Sequence, residues 1–152
     1  PLIIKQAREM GITAVIAAGD TWENATIIEN AGADAEGTVF STFYDEAAPA
    51  NDEAAAFVDG FKAYLTSIGE SDIIPAVSAL GYDAYITAVQ AIKDADSVDP
   101  AAIKDALKNV HVEGVTGDIT FDENGDANKD MAYIKTIKDG QIVFLTTTSI
   151  DE

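Results

Sequence analysis

GITAVIAAGDTWENATIIENAGADAEGTVFSTFYD (residues 11–45) decides the fold of this 152-residue chain. The run TAVIAA is apolar, carries threonine and β-branched residues, and lies between Gly11 and Gly19. It predicts a short strand buried on both faces of a parallel sheet. Residues 22–30 place Trp22, Ala25, Ile27 and Ile28 at helical spacing, with Thr21 or Asp20 as N-cap and Gly32 at the left-handed position past the end. A second strand is expected over 38–43. Strand, helix and strand in this order give a parallel pair joined by a right-handed crossover. Asp20 then sits just past the carboxyl end of the first strand, where open α/β sheets put ligand-contacting groups. Two readings of it stand side by side: a carboxylate for a cationic group such as an α-ammonium, or the cap of the next helix. Trp22, the only tryptophan, either lines the same cleft as an apolar wall or packs into the core.

Working outward, Leu2, Ile3, Ala7 and Met10 recur at helical spacing and Gly11 stands where that helix would stop. The chain therefore starts inside or at the start of a helix, with no Met and no targeting segment, and reads as a piece of a longer protein. On the other side, DEAAPANDEA (residues 45–54) is polar, small and proline-bearing, a linker between layers or lobes. Phe57, Phe61, Tyr64, Leu65 and Ile68 form an apolar stripe closed by Gly69. A third helix is expected over 79–95. Asp99-Pro100 opens a fourth, with Asp as cap and Pro at the first helical position, and with Ile103, Leu107 and Val110 facing inward. The tail turns to strands: Asp139-Gly140 predicts a two-residue type I′ hairpin between MAYIKTIK and QIVFLTT, and Asn124-Gly125 a second turn.

Charge and composition narrow the function. With 27 acidic against 9 basic residues and a net charge of −18, the chain would be repelled by nucleic acid and by an anionic bilayer. Neither is expected as a partner. There is no cysteine, so disulfides, thiol nucleophiles and thiolate metal sites are excluded. No run reaches the roughly 18 apolar residues of a membrane helix. Asp122, Asn124, Asp126, Asn128 and Asp130 alternate like the start of a calcium loop, but the Gly and Glu required at its later positions are Ala127 and Tyr133. A polar turn explains them better. The single histidine, His111, cannot build a histidine metal cluster, and Asp45/Glu46 and Asp122/Glu123 are adjacent pairs whose side chains diverge. Tyr44 and Tyr82 are read as ordinary buried tyrosines. No phosphate-binding, nucleophile-elbow or HExxH motif occurs, so no catalytic residue, no metal and no cofactor is expected.

The order AREMGI, VIAAGDTWENATIIENAGADAEGTVFSTFYD, AFVDGFKAYL, ALGYDAYITAVQAI, DPAAIKDALKN and GVTGDITFDENGD closely resembles the later part of periplasmic branched-chain amino-acid binding proteins, the type I solute receptors of ABC importers. The resemblance runs the whole length of the chain. It implies an α/β, type I periplasmic-binding-protein-like (Leu/Ile/Val-binding) fold: parallel strands with helices, plus a terminal antiparallel hairpin, as the later part of a two-lobed receptor that closes like a hinge. It divides the chain into residues 1–44 of the second lobe, helices 45–112 belonging to the first lobe, and terminal strands 113–152 returning to the second. The polar segment 45–54 would be one hinge crossing and residues near 112–117 another. The family's ammonium-binding acid falls on Asp20, with Trp22 beside it. A cleft position often aromatic in the family falls on Val77 or Ser78, just before the third helix. The resemblance further implies an amino acid as ligand in the full-length parent, an ABC permease as partner and an extracytoplasmic, signal-peptide-bearing parent. A ligand-sensing regulatory or receptor domain of the same fold is the alternative, and a small α/β enzyme a third class without a catalytic constellation. Uncovered strand edges and helix faces would make this chain self-associate or pair with the missing amino-terminal part.

Overall fold

The structure is a computed structural model, and residues 1–129 and 131–149 are described. Its elements run α1 (Leu2–Glu9), β1 (Ala17–Ala18), a 3-10 turn (Asp20–Trp22), α2 (Ala25–Ala31), a second 3-10 turn (Gly32–Ala35), β2 (Val39–Thr42), α3 (Asp52–Ser67), α4 (Ala76–Ala95), α5 (Pro100–Leu107), β3 (Val112–Gly114), β4 (Gly117–Ile119), β5 (Met131–Lys138) and β6 (Gln141–Ser149). They form two compact units, 1–45 with the strands from 131, and the intervening stretch from 46. Among the described residues no helix is long and apolar enough to cross a membrane.

The first unit is a mixed sheet in the order β1-β2-β5-β6. β1 and β2 are parallel, as the crossover predicts, with Ala17 opposite Val39 and Ala18 opposite Phe40. β5 runs antiparallel to β2 and to β6. Period-2 alternation turns Thr38, Phe40 and Thr42 to one buried face, and Lys135 and Ile137 of β5 are buried with them. Ile4 of α1, Ile27 and Ala31 of α2, Ala35, Phe40 and Ile137 make the core, with Ile16, Ala18, Trp22, Ile28 and Ile142 packed around it.

Two expectations are corrected here. The first strand is not buried on both faces: β1 stands at the sheet edge, only two residues join the ladder, and Val15 and Ala17 are exposed. Leu2 and Ile3 of α1, and Met10 at its carboxyl cap, are exposed, and Ile4 is the residue the helix buries. The helix expected from residue 22 is broken into a 3-10 turn and α2, because Asn24 caps α2 by accepting the Thr26 amide at 2.8 Å. Gly32 does adopt positive φ at 56°. The Asp139-Gly140 hairpin is as expected, both residues having positive φ and Lys138 pairing with Gln141.

The second unit holds α3, α4, α5 and a β3–β4 ribbon. Asp99 caps α5 through the Ala101 and Ala102 amides, with Pro100 next, as its sequence demands. α4 begins at Ala76, three residues earlier than its apolar spacing suggested, since Pro75 supplies the N-cap position. The face it buries is Ala76, Ala79, Asp83, Thr87 and Ala91. Asp83 binds the ribbon: its carboxylate accepts the Val115 amide (2.7 Å), the Thr116 amide (2.8 Å) and the Thr116 hydroxyl (2.6 Å). In the aromatic stripe of α3, Phe57 stacks on Phe61 at 5.4 Å and lies tilted against Tyr82 of α4 at 4.9 Å, while Tyr64 and the following Ile68 remain exposed.

Candidate functional site

Asp20 opens the 3-10 turn directly after β1 and Gly19. It is half-buried, and its Oδ1 accepts the amide of Thr21 at 2.9 Å. It does not cap α2, since Asn24 does so. Among the described residues it forms no ion pair. A half-buried carboxylate at a strand's carboxyl end, with no cation of its own, is suited to receive an ammonium from outside. Trp22 closes the same turn, half-buried, with one side against the core cluster. Its indole thus belongs partly to the core and partly to the surface beside Asp20.

Beneath this turn lies a group of buried charges. Lys135 occupies the core-facing position of β5 opposite Phe40. Its Nζ donates to Glu23 Oε1 and stands 3.7 Å from Asp45 Oδ2. The second oxygen of Glu23 accepts the hydroxyl of Thr42 at 2.8 Å. The Lys135 and Glu23 side chains are only 6% and 4% exposed, which makes the pairing obligatory. Of these residues the sequence singles out only Asp45, as half of an adjacent acid pair; Glu23, Thr42 and Lys135 belong to no motif. The available signal was the i, i+2 relation of Lys135 to Ile137, which places a lysine on the apolar face of a strand. The tertiary neighbours that neutralise it lie far away in the chain.

Val77 and Ser78 belong to the second unit and lie within the first turn of α4, not before it. Pro75 starts the helix early, and the Ser78 amide donates to the Pro75 carbonyl at 2.9 Å. Val77 is exposed and Ser78 half-buried. A cavity of about 330 Å³ in the same unit is lined by Leu80, Asp83, Thr87, Leu107, Phe121 and Lys129, and includes neither of them.

The other sequence candidates resolve into structural roles. Asp122 Oδ1 accepts the amides of Asn124 and Asp126, both at 2.8 Å, so this carboxylate is committed to the turn at Gly125. Asp130 of the same alternating run lies outside the described residues. The described residues bring together no group of three acids or histidines that could hold a metal. Exposed His111 faces Asp118 with 3.7 Å between Nε2 and Oδ1. Asp45 and Glu46 diverge as adjacent residues should: Asp45 turns to Lys135, and Glu46 pairs with Lys62 at 2.9 Å and accepts the Ile74 amide.

Residues 1–141 match the family described as periplasmic binding protein. A leucine-, isoleucine-, valine-, threonine- and alanine-binding protein of Pseudomonas aeruginosa is 28% identical over 125 residues, 82% of this chain and 32% of that protein. Among solved structures, the leucine-binding protein LivK of Thermotoga maritima aligns over 99% of this chain and 41% of its own, at 37% identity and a TM-score of 0.84. The substrate-binding protein LivJ of Streptococcus pneumoniae, solved with isoleucine, aligns over 97% of this chain and 40% of its own, at 29% identity and a TM-score of 0.75. The chain therefore spans less than half the length of these relatives. All of them are named as binding proteins.

Proposed function

Because the chain belongs to the periplasmic binding protein family, we propose that it is the carboxyl-terminal part of an extracytoplasmic receptor that delivers an amino acid, branched-chain or similar, to an ABC importer. The observation that carries this is Asp20: a half-buried carboxylate past the end of β1, not used as the cap of α2 and not paired with a cation among the described residues. In this reading it binds the ligand's α-ammonium, and Trp22 forms an adjacent apolar wall. The resemblance that assigns Asp20 also assigns a ligand contact to Val77 or Ser78 of α4 in the full-length parent. The reading includes no reaction chemistry.

The group that holds the ligand carboxylate would come from a part of the receptor outside this chain. Half a site gives little affinity, because the cost of immobilising the ligand is met by few contacts. The 152-residue chain alone is therefore expected to bind leucine weakly or not at all. Calorimetric titration with a micromolar dissociation constant would contradict that.

The decisive test is a thermal-shift screen of the full-length parent against amino acids, repeated with Asp20→Asn. A charged hydrogen bond contributes about 1.5–3 kcal/mol, so the substitution should weaken binding of a hit by roughly tenfold to a hundredfold. If the stabilisation by the same amino acid survives Asp20→Asn, Asp20 is not the ammonium partner.

A further inference from the structure

Glu23, Lys135 and Asp45 have no part in the ligand site proposed above, yet among the described residues they are the buried charges of the first unit. Glu23 is also the residue that closes the 3-10 turn carrying Asp20 and Trp22. We infer that Lys135 is a positioning residue: through Glu23 it anchors the ligand-facing turn to the two central strands of the sheet. The mechanical link stands on the geometry of this chain, and its meaning for binding rests on Asp20 being the ammonium partner.

The link can be followed bond by bond. The Glu23 carboxylate is held by Thr42 of β2 through one oxygen and by Lys135 of β5 through the other. The Glu23 amide in turn donates to the Asp20 carbonyl at 3.0 Å, and the Asn24 amide to the Trp22 carbonyl at 2.8 Å. A turn of three residues has no cooperative helix to hold it, so its place is set by its anchor. Gly19 and Thr21 are exposed, and Trp22 packs one side against the core cluster, so Glu23 is the polar anchor of the turn and Trp22 its apolar one. Two carboxylates share one ammonium. Removing Lys135 leaves like charges buried together, whereas neutralising Glu23 leaves Lys135 facing Asp45 alone. The two changes therefore cut the same link with different electrostatic penalties.

An ion pair that merely stabilised the core would lower the unfolding midpoint without altering the folded turn. Trp22 separates the cases, because it is the only tryptophan and lies in the turn itself. The experiment is native-state Trp emission and acrylamide quenching of the 152-residue chain as Lys135→Met, Lys135→Arg and Glu23→Gln, with Ile74→Val, buried in the second unit, as a stability control. Lys135→Met should raise the quenching constant by about twofold and red-shift the emission, the signature of a locally opened segment. Glu23→Gln should move both the same way but less, and Lys135→Arg should restore them towards wild type. Ile74→Val should lower the midpoint and leave the native signal alone. Wild-type emission and quenching in both Lys135→Met and Glu23→Gln, with only lowered midpoints, would overturn the inference. Should Lys135→Met fail to fold, the isosteric Glu23→Gln decides by itself. If Trp22 is freed but Asp20→Asn leaves amino-acid binding by the parent intact, the positioning role stands and the ammonium reading falls.

Discussion

Tyr133 and Asp122 show how single side chains carry pH dependence in this chain. Burial raises the Tyr133 phenol above its ordinary value of 10.0, and the nearby Asp45 carboxylate adds to the rise. The unfolded chain then ionises first, so the stability from the neutral phenol is whole below pH 10 and is lost as pH climbs through the folded value. Alkaline unfolding should set in above pH 10, and Tyr133→Phe should soften it; ultraviolet titration of the phenolates alongside circular dichroism checks both. Asp122 works in the opposite sense. The Asp126 amide, and then Asn124, stabilise its carboxylate and hold its pKa below 3.8. That support is present above pH 3.8 and is lost as pH falls through the folded value. The amides of Asn124 and Asp126 should lose their distinct NMR shifts in acid, and Asp122→Ala should produce the same change at neutral pH.

At the scale of elements, two junctions depend on one side chain each. A Cβ on Gly114 would lie 2.6 Å from Asp83 Oδ2, so the ribbon can approach α4 only because that position is glycine. Gly114→Ala should cost about 1–3 kcal/mol by overpacking. In an Asp83→Ala background the obstructing carboxylate is gone and the added cost should nearly vanish, a non-additivity that urea unfolding of the four proteins in the cycle would measure. The β5–β6 hairpin has a comparable device. Glu36, from the segment before β2, accepts the amides of Asp139 (2.9 Å) and Gly140 (2.7 Å) and ties the turn to a distant stretch of the chain. Gly140 has a φ of 70°, so Gly140→Val should cost about 1–2 kcal/mol. In the core, Phe40→Ala should cost about 3–5 kcal/mol, since the ring is fully enclosed by α1, α2 and β5 residues.

For the whole molecule, the apolar surface sets the expectation. Leu2 and Ile3 of α1, Met10 at its carboxyl cap, Val15 beside the edge strand β1, and Phe144 and Leu145 of β6 are all exposed. We propose that this surface drives association with a second copy or with the amino-terminal part of the receptor. Sedimentation velocity should show mass above the monomer that grows with concentration. A monomer at all concentrations with a single sharp melting transition would count against it. Co-expression with the amino-terminal part of the parent should then shift the chain into a one-to-one complex.

The local chemistry of the sequence determined the helices, the parallel β1–β2 pair, the Asp139-Gly140 hairpin, the Asp99-Pro100 helix start and the position of Asp20 past a strand end. Each depends on neighbours a few residues away, where periodicity and turn stereochemistry act. The order of motifs also placed the chain in its family, because six local patterns in register are far more specific than any one of them. Only the tertiary structure decided that β1 is a two-residue edge strand, that α1 buries Ile4, that Asn24 rather than Asp20 caps α2, and that Val77 and Ser78 lie inside α4. It alone assembled Lys135, Glu23 and Asp45 from three separate segments. Burial depends on what the rest of the chain covers, and a buried charge persists only where distant partners neutralise it. No short stretch of sequence contains that information.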